Sequence, residues 1–424
     1  MAEFFHSVTL DRDFCKGCIN CIKRCPTEAI RVRDGKASII TERCIDCGEC
    51  IRICPHHAKR AIYDPITVLN QYQYPIALVP PSFYGQFNNL EDTELISAAL
   101  KKIGFSAVFH LARAAELVSD ATRRLLADNT LPRPVISTAC PAVVRLIRVR
   151  FPHLISHLLP LVAPVELAAR MAKEEAQKAG VPQEHIGCIF LSPCPAKITT
   201  LRMPIGYENS SIDAAVAVKE VYTLLLGPMR SSVSTDTAQA GRIGLGWGES
   251  GGESSGLIST DDYLAADGIE NVMQVLEDLE DDKYQNLEFV ELDACAGGCV
   301  GGVLQVENPY IAKAKLKKLR RYMPVSLNRL EGDIPAQMKW DSSPEYTPIM
   351  ELGNTMQENF EKYEKLEEIL LKLPDLDCGS CGAPTCDAFA EDIVRGKNTL
   401  DGCTVLLRRR MEAVLQAIGY DRQT

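Results

Sequence analysis

Cys295 and Cys299 stand four residues apart in "VELDACAGGCVGGVLQVENPY" (residues 290–310), among Gly297, Gly298, Gly301 and Gly302. Paired thiolates suit a metal, but a closed metal site takes about four ligands, so the rest must come from elsewhere in the chain. The chain has them to spare, with 17 cysteines in 424 residues. In a reducing compartment such a count signals metal binding rather than disulfides. Eight of the cysteines precede residue 55, four follow residue 377, and five lie between.

The N-terminal cysteines form a tandem pair, "CKGCINCIKRCP" (Cys15, Cys18, Cys21, Cys25) and "CIDCGECIRICP" (Cys44, Cys47, Cys50, Cys54). Each reads C-x2-C-x2-C-x3-C-P, the bacterial ferredoxin run for a [4Fe–4S] cluster, in which the fourth cysteine ligates the other cluster. One cluster is therefore expected on Cys15, Cys18, Cys21 and Cys54, and the other on Cys44, Cys47, Cys50 and Cys25. The tight spacing wraps three corners of a cubane, and Pro26 and Pro55 turn the chain away. Two full runs with both prolines weigh against a pair of zinc knuckles. Between them "AIRVRDGKASII" predicts a hairpin turning at Asp34-Gly35. His56 and His57 follow the last ligand and read as a polar cap, since all eight cluster positions are filled.

The C-terminal cysteines lie in "DCGSCGAPTCDAFAEDIVRGKNTLDGC", where Cys378, Cys381, Cys386 and Cys403 give C-x2-C-x4-C-x16-C. This predicts a third [4Fe–4S] site, with "DAFAEDIVRG" a helix between the third and fourth ligands. A zinc ribbon is the alternative, disfavoured by the wide last gap. The segment resembles the small cluster domain of corrinoid iron–sulfur proteins and of membrane ion-pumping ferredoxin oxidoreductases. It suggests a second electron port.

The partners of Cys295 and Cys299 come from the elements between these sets. "RPVISTAC" (133–140), "IGCIFLSPC" (186–194) and "NLEFVELDAC" (286–295) are β-rich runs that each finish at a cysteine. Helical periods surround them, as in "RAAELVSDATRRLLA" and "PVELAARMAKEEAQKAG". The alternation implies an α/β architecture with largely parallel sheets, whose ligands bind at the carboxyl ends of strands. Cys140, Cys194, Cys295 and Cys299 are thus expected to converge, and four thiolates suit another [4Fe–4S] cluster. The glycines let backbone approach inorganic sulfide and leave N–H groups free to bond it. Cys188, in "GCIFL", reads as a buried strand residue.

"TACPA", "PCPAK" and "ACAGGCVGG…Q" resemble, in order, the three cysteine motifs of the catalytic domain of [FeFe]-hydrogenases, over roughly residues 10–310. The resemblance implies two α/β lobes around a cubane, with Cys299 bridging it to a two-iron subcluster carrying CO, cyanide and a dithiolate. It implies that Lys197 donates to a cyanide, and it pairs Gln305 with the retained glutamine. The departures matter more. Ala139 stands where active prototypes carry a proton-relaying cysteine, Ser192 and Thr200 replace a methionine and a glutamate, and Asp293 replaces a methionine. The pattern is similar to the divergent branches without the relay cysteine, which include proposed H2 sensors. Asp293, Glu249 and Glu253 are candidates for another proton route, with solvated loop carboxylates as the alternative.

Composition bounds the rest. The chain is 46% hydrophobic and 24% charged, as in globular proteins with substantial cores, and its net charge of −10 argues against nucleic acid as a partner. No run reaches the roughly 18 apolar residues of a membrane span, and the start lacks a signal-peptide layout, so a cytoplasmic location is expected. The expected organisation is a ferredoxin-like α+β domain (1–65), a hydrogenase-like catalytic domain (66–335), a linker and helix (336–371), and a small helical cluster domain (372–424). The expected function is an iron–sulfur oxidoreductase of the hydrogenase type, either interconverting protons and H2 at low turnover or sensing H2. Its expected partners are a ferredoxin or another redox protein and a signalling or oxidoreductase subunit. The alternatives are an electron-transfer or redox-regulatory subunit holding only the cubane, and an iron–sulfur assembly factor. The full ferredoxin-type set and the C-terminal set weigh against the last.

Overall fold

The computed structural model describes residues 5–233, 238–257, 262–284, 286–349, 351–353 and 355–418. Its strands, in chain order, are β1 (Val8–Leu10), β2 (Ile30–Arg33), β3 (Lys36–Ile39), β4 (Lys59–Ala61), β5 (Tyr74–Val79), β6 (Ala107–His110), β7 (Val135–Ile136), β8 (Ile186–Ser192), β9 (Ala214–Ala217), β10 (Tyr263–Asp267) and β11 (Phe289–Asp293). The chain divides into two compact units.

The larger unit comprises Met1–Val8, Ile45–Gly48 and Ala61–Thr347 and is α/β. It holds two parallel sheets, one ordered β6-β5-β8-β9 and the other β10-β11-β7. All seven residues of β8 are buried, the continuous apolar run of a parallel strand covered on both faces. Its side chains and those of β5 alternate between two cores. Ile76, Leu78, Cys188 and Phe190 pack with the helices Leu111–Asp128 and Pro164–Lys178. Ala77, Val79, Ile189 and Leu191 face the helices Glu94–Lys102 and Val218–Arg230. Each fully buried leucine or phenylalanine contributes about 1.5–3 kcal/mol. Cys188 is such a packed strand residue, 0% exposed.

Of the three cysteine-ending strands, β8 forms over most of its expected length and β11 over half, but residues 133–140 supply only the short β7. Pro134 has no N–H to give the ladder. Val135 N and Ser137 N still reach the carbonyls of Glu288 and Val290, each at 2.9 Å. Thr138 then turns its hydroxyl to the carbonyls of Leu159 and Leu161, and the chain leaves the sheet toward Cys140.

The smaller unit comprises Thr9–Cys44, Glu49–Arg60 and Pro348–Thr424. β2 and β3 form the expected antiparallel hairpin, with Arg33 opposite Lys36. Asp34 and Gly35 at its turn have φ of 51° and 69°, the left-handed pair of a type I′ turn. The expected C-terminal helix spans Cys386–Val394 and is capped by Thr385, whose hydroxyl accepts from Ala388 N at 3.0 Å. Phe389, Ala388, Ile369, Leu373 and Cys403 form its core. Two ion pairs join this helix to the ferredoxin-type segment: Arg31 Nε meets Asp392 Oδ2 at 2.8 Å, and Arg43 pairs with Glu391. All four side chains are at most 8% exposed. Among the described residues, no helix is long and apolar enough to cross a membrane.

Candidate functional site

Cys140 and Cys194 each occupy the cap position of a helix that begins with proline, Pro141–Arg150 and Pro195–Arg202. Proline suits that first position because its missing N–H is not needed there. The remaining N–H groups of the turn face the cysteine end, where a helix favours negative charge. Burial pushes the Cys140 thiol up to about 12 and the Cys194 thiol up to about 11, and it raises Cys299 as well. Such thiols stay protonated until a cation replaces the proton, as iron does when thiolates ligate it.

Cys295 and Cys299 flank the turn that follows β11. Gly298, with φ of +86°, lies so close to the Glu249–Ser250 backbone that a Cβ there would sit 2.4 Å from Ser250 N. A Cβ on Gly302 would sit 2.3 Å from the Pro193 carbonyl oxygen, which also accepts from Leu304 N at 3.0 Å. The glycines therefore bring the third motif onto the second. Lys197 Nζ lies 3.0 Å from Cys299 Sγ. Burial opposes the lysine's charge, but Cys299 and Cys194, with Cys140 beyond them, hold its pKa above the ordinary value. Cys299 thus lies against this ammonium, Cys194 and Cys140 act on it electrostatically, and Cys295 opens the turn that ends at Cys299. This donor set fits a cubane.

A cavity of about 50 Å³ adjoins Cys299, lined by Ala139, Lys197, Asp293, Glu253 and Glu291 among apolar side chains that include Trp247 and Phe190. Its acidic wall is buried. Glu253 is 3% exposed, accepts from Ser137 Oγ at 2.6 Å through Oε2, and has no partner for Oε1 among the described residues. Burial, then the neighbouring Glu291, raises Glu253 well above the carboxylate range. Glu291 accepts from Gly251 N at 2.9 Å and from both Ser254 N and Ser254 Oγ at 2.8 Å, and burial raises its pKa too. Asp293 is pushed up to about 7, first by burial and then by Glu291.

The two glutamates are therefore not solvated loop carboxylates. Glu249, also 3% exposed, pairs with Arg320 and is not among the cavity-lining residues. Gln305 supports the site from behind, donating to Ser82 Oγ at 2.9 Å and to the Cys299 carbonyl at 3.2 Å. Sequence reasoning did not single out Glu291 or Ser137. Glu291 carried a signal, as a charged residue two before Asp293 on the same face of an otherwise apolar strand.

Residues 73–241 and 253–303 match the model of the iron-only hydrogenase large subunit, C-terminal domain, more than half of the 424 residues. The chain belongs to that family. In this hydrogenase-family chain residues 7–55 also match a 4Fe-4S dicluster domain, and residues 373–405 a putative Fe-S cluster domain. It is 22% identical over 262 residues to the NADP-reducing hydrogenase subunit HndD of Solidesulfovibrio fructosivorans, covering 50% of this chain and 45% of that one. It is 42% identical over 64 residues to a subunit of the Na(+)-translocating ferredoxin:NAD(+) oxidoreductase complex of Acetobacterium woodii, covering 15% of this chain and 19% of that one. The chain thus spans less than half the length of either relative, and both relatives are subunits. The solved [FeFe]-hydrogenase HydA(deltaEFG) superposes with a TM-score of 0.48 at 14% identity, over 62% of this chain and 88% of that one.

The N-terminal cysteine segment of this chain shows thiols held by backbone donors. Ala29 N donates to Cys25 Sγ at 3.2 Å, Ala58 N to Cys54 Sγ at 3.3 Å and Ala37 N to Cys15 Sγ at 3.4 Å. Burial works against the Cys15 thiolate, but the Ala37 N–H and nearby Lys36 keep its pKa below the usual thiol value. Burial raises Cys21 to about 11 and also holds Cys50 well above the usual thiol value. The loop of Cys47 lies against the central motifs. Asp46 accepts from Val8 N at 2.9 Å and from Thr199 Oγ1 at 2.7 Å, and a Cβ on Gly48 would meet Val303 Cγ2 at 2.8 Å. His56 is half-buried and His57 exposed. In the C-terminal set Cys403 is buried, Cys381 and Cys386 are half-buried, and Cys378 is exposed.

Proposed function

We propose that this chain is a cytoplasmic, oxygen-sensitive [FeFe]-hydrogenase of the divergent type, which interconverts protons and H2 slowly or reports H2. The reading rests on Lys197, 3.0 Å from Cys299 and beside a cavity that carries acids but no relay cysteine. Cys140, Cys194, Cys295 and Cys299 would hold the cubane. A two-iron subcluster on Cys299, with CO, cyanide and dithiolate, would supply the open iron at which hydrogen is made or split.

The chain's own residues do the rest. Lys197 keeps its proton and orients whatever anionic group lies beside Cys299. Ala139 cannot hold a proton, so Glu253, bonded to Ser137, holds one at the cavity wall. Trp247 and Phe190 exclude water. Electrons arrive from a ferredoxin or another redox protein through the terminal sets: Cys15, Cys18, Cys21 and Cys54; Cys44, Cys47, Cys50 and Cys25; and Cys378, Cys381, Cys386 and Cys403. Four loaded cubanes amount to about sixteen iron atoms, and the two-iron unit makes about eighteen.

Infrared spectra of the anaerobically matured protein test this reading. CO and cyanide bands are expected. Their absence, with the cubanes loaded, leaves an electron-transfer or regulatory subunit, a second reading that the narrowness of the 50 Å³ cavity favours.

A further inference from the structure

Within the smaller unit the C-terminal cysteine segment meets the ferredoxin-type segment at the ligand loops of both. Lys23 stands between Cys21 and Cys25, and its ammonium donates to the Pro384 carbonyl at 2.6 Å and to the Asp377 carbonyl. Asp377 adjoins Cys378, and Pro384 lies two residues before Cys386. One lysine side chain therefore spans from one ligand loop to the other. Close by, Val32 N donates to the Gly382 carbonyl at 2.8 Å, and Thr385 Oγ1 donates to Glu28 Oε1 at 3.0 Å. Gly382 has φ of +85°, and a Cβ there would lie 1.8 Å from the Val32 carbonyl oxygen. Only glycine lets the Cys381 loop settle that close. The buried pairs Arg31–Asp392 and Arg43–Glu391 fix the orientation from behind.

Two thiolate-ligated clusters are both anionic and repel when brought together, and a cation between their ligand loops offsets that repulsion. No comparable bridge is needed if the two segments act separately. We propose that Lys23 is a positioning residue that seats the Cys378–Cys403 set against the Cys21–Cys25 loop, so that the C-terminal set is the outward end of one continuous electron relay. This revises the sequence-based expectation of a second, separate port, and it rests on both segments holding clusters. Exposed Cys378 marks the entry side. The incoming electron comes singly from a reduced iron–sulfur protein of the ferredoxin class, which is oxidised by one as the relay is reduced by one. No bond forms or breaks, and no proton moves.

The test uses the full chain, reconstituted anaerobically, as wild type, Cys381→Ala, Lys23→Met and Lys23→Arg. Iron content and the electron paramagnetic resonance of the dithionite-reduced protein are the readouts. In wild type, splitting beyond that of the two N-terminal clusters with each other is expected, from magnetic interaction with the C-terminal cluster. Cys381→Ala should lose one cubane's iron and that splitting together. Lys23→Met should keep the iron but lose the splitting, and Lys23→Arg should restore it. The inference is overturned if wild type equals Cys381→Ala plus one isolated cubane signal, or if Cys381→Ala loses no iron. A Lys23→Met spectrum identical to wild type overturns the role of Lys23. None of these readouts depends on the two-iron unit, so missing infrared bands would sink the hydrogenase reading and leave this one intact.

Discussion

Ser137 Oγ donates to Glu253 Oε2 at 2.6 Å and accepts the Ala139 N–H at 3.2 Å, so one hydroxyl links the inert alanine to a buried carboxyl. If Glu253 takes over proton delivery, Glu253→Gln should lower H2 turnover by roughly 10²-fold, the lower end for a positioned acid–base group. Infrared bands should stay unchanged. Glu249→Gln should have a much smaller effect on turnover, because Glu249 is tied to Arg320 away from the cavity. Unaltered turnover in Glu253→Gln would rule the route out.

The same carboxyl gives a pH signature in the metal-free chain. Ser137, Glu291, Asp293 and Lys197 face Glu253, and burial followed by Glu291 raises its pKa. A raised carboxyl pKa contributes stability that is fully present below the unfolded value of about 4.3 and is lost as pH rises through the folded value. Wild-type Tm should therefore fall over that rise more steeply than the Tm of Glu253→Gln. Parallel Tm profiles would show that Glu253 is not raised.

Ala139→Cys restores a thiol at the cavity wall beside Ser137. Where a two-iron unit is present, turnover should rise, by up to roughly 10²-fold if proton delivery limits the rate. A hydrogen-evolution assay on matured protein measures this. An unchanged rate would place the slow step elsewhere.

Asp392→Ala should destabilise the smaller unit by up to about 3–5 kcal/mol, because it leaves the buried Arg31 only its longer, 3.9 Å contact with Glu391. Replacing both partners by apolar residues, Arg31→Met with Asp392→Leu, should cost far less. Denaturant unfolding measures both. Equal losses would mean that packing, not the uncompensated charge, sets the effect.

The cysteine sets stand out in the sequence because their spacing is local, and β8 and β11 do so because a strand that ends near a cysteine keeps its apolar run in sequence. Other features were not local. The burial of Glu253 depends on β11 lying beside residues 251–254, which "GWGESGGESSG" does not show. The shortness of β7 follows from Pro134 and from the carbonyls that Thr138 finds more than twenty residues away. The seating of residues 377–386 on Lys23 depends on contacts more than 350 residues apart in the chain.

That separation has a consequence for biosynthesis. Arg31 and Arg43 leave the ribosome early, and their partners Glu391 and Asp392 belong to the last part of the smaller unit to be made. At about 5–20 residues per second, the wait is tens of seconds. Throughout that interval the nascent ferredoxin-type segment carries two arginines without their carboxylate partners, so it cannot close as it does in the finished chain. A prematurely terminated product keeps this defect permanently. The two ion pairs thus tie the final packing of the early segment to the synthesis of the late one.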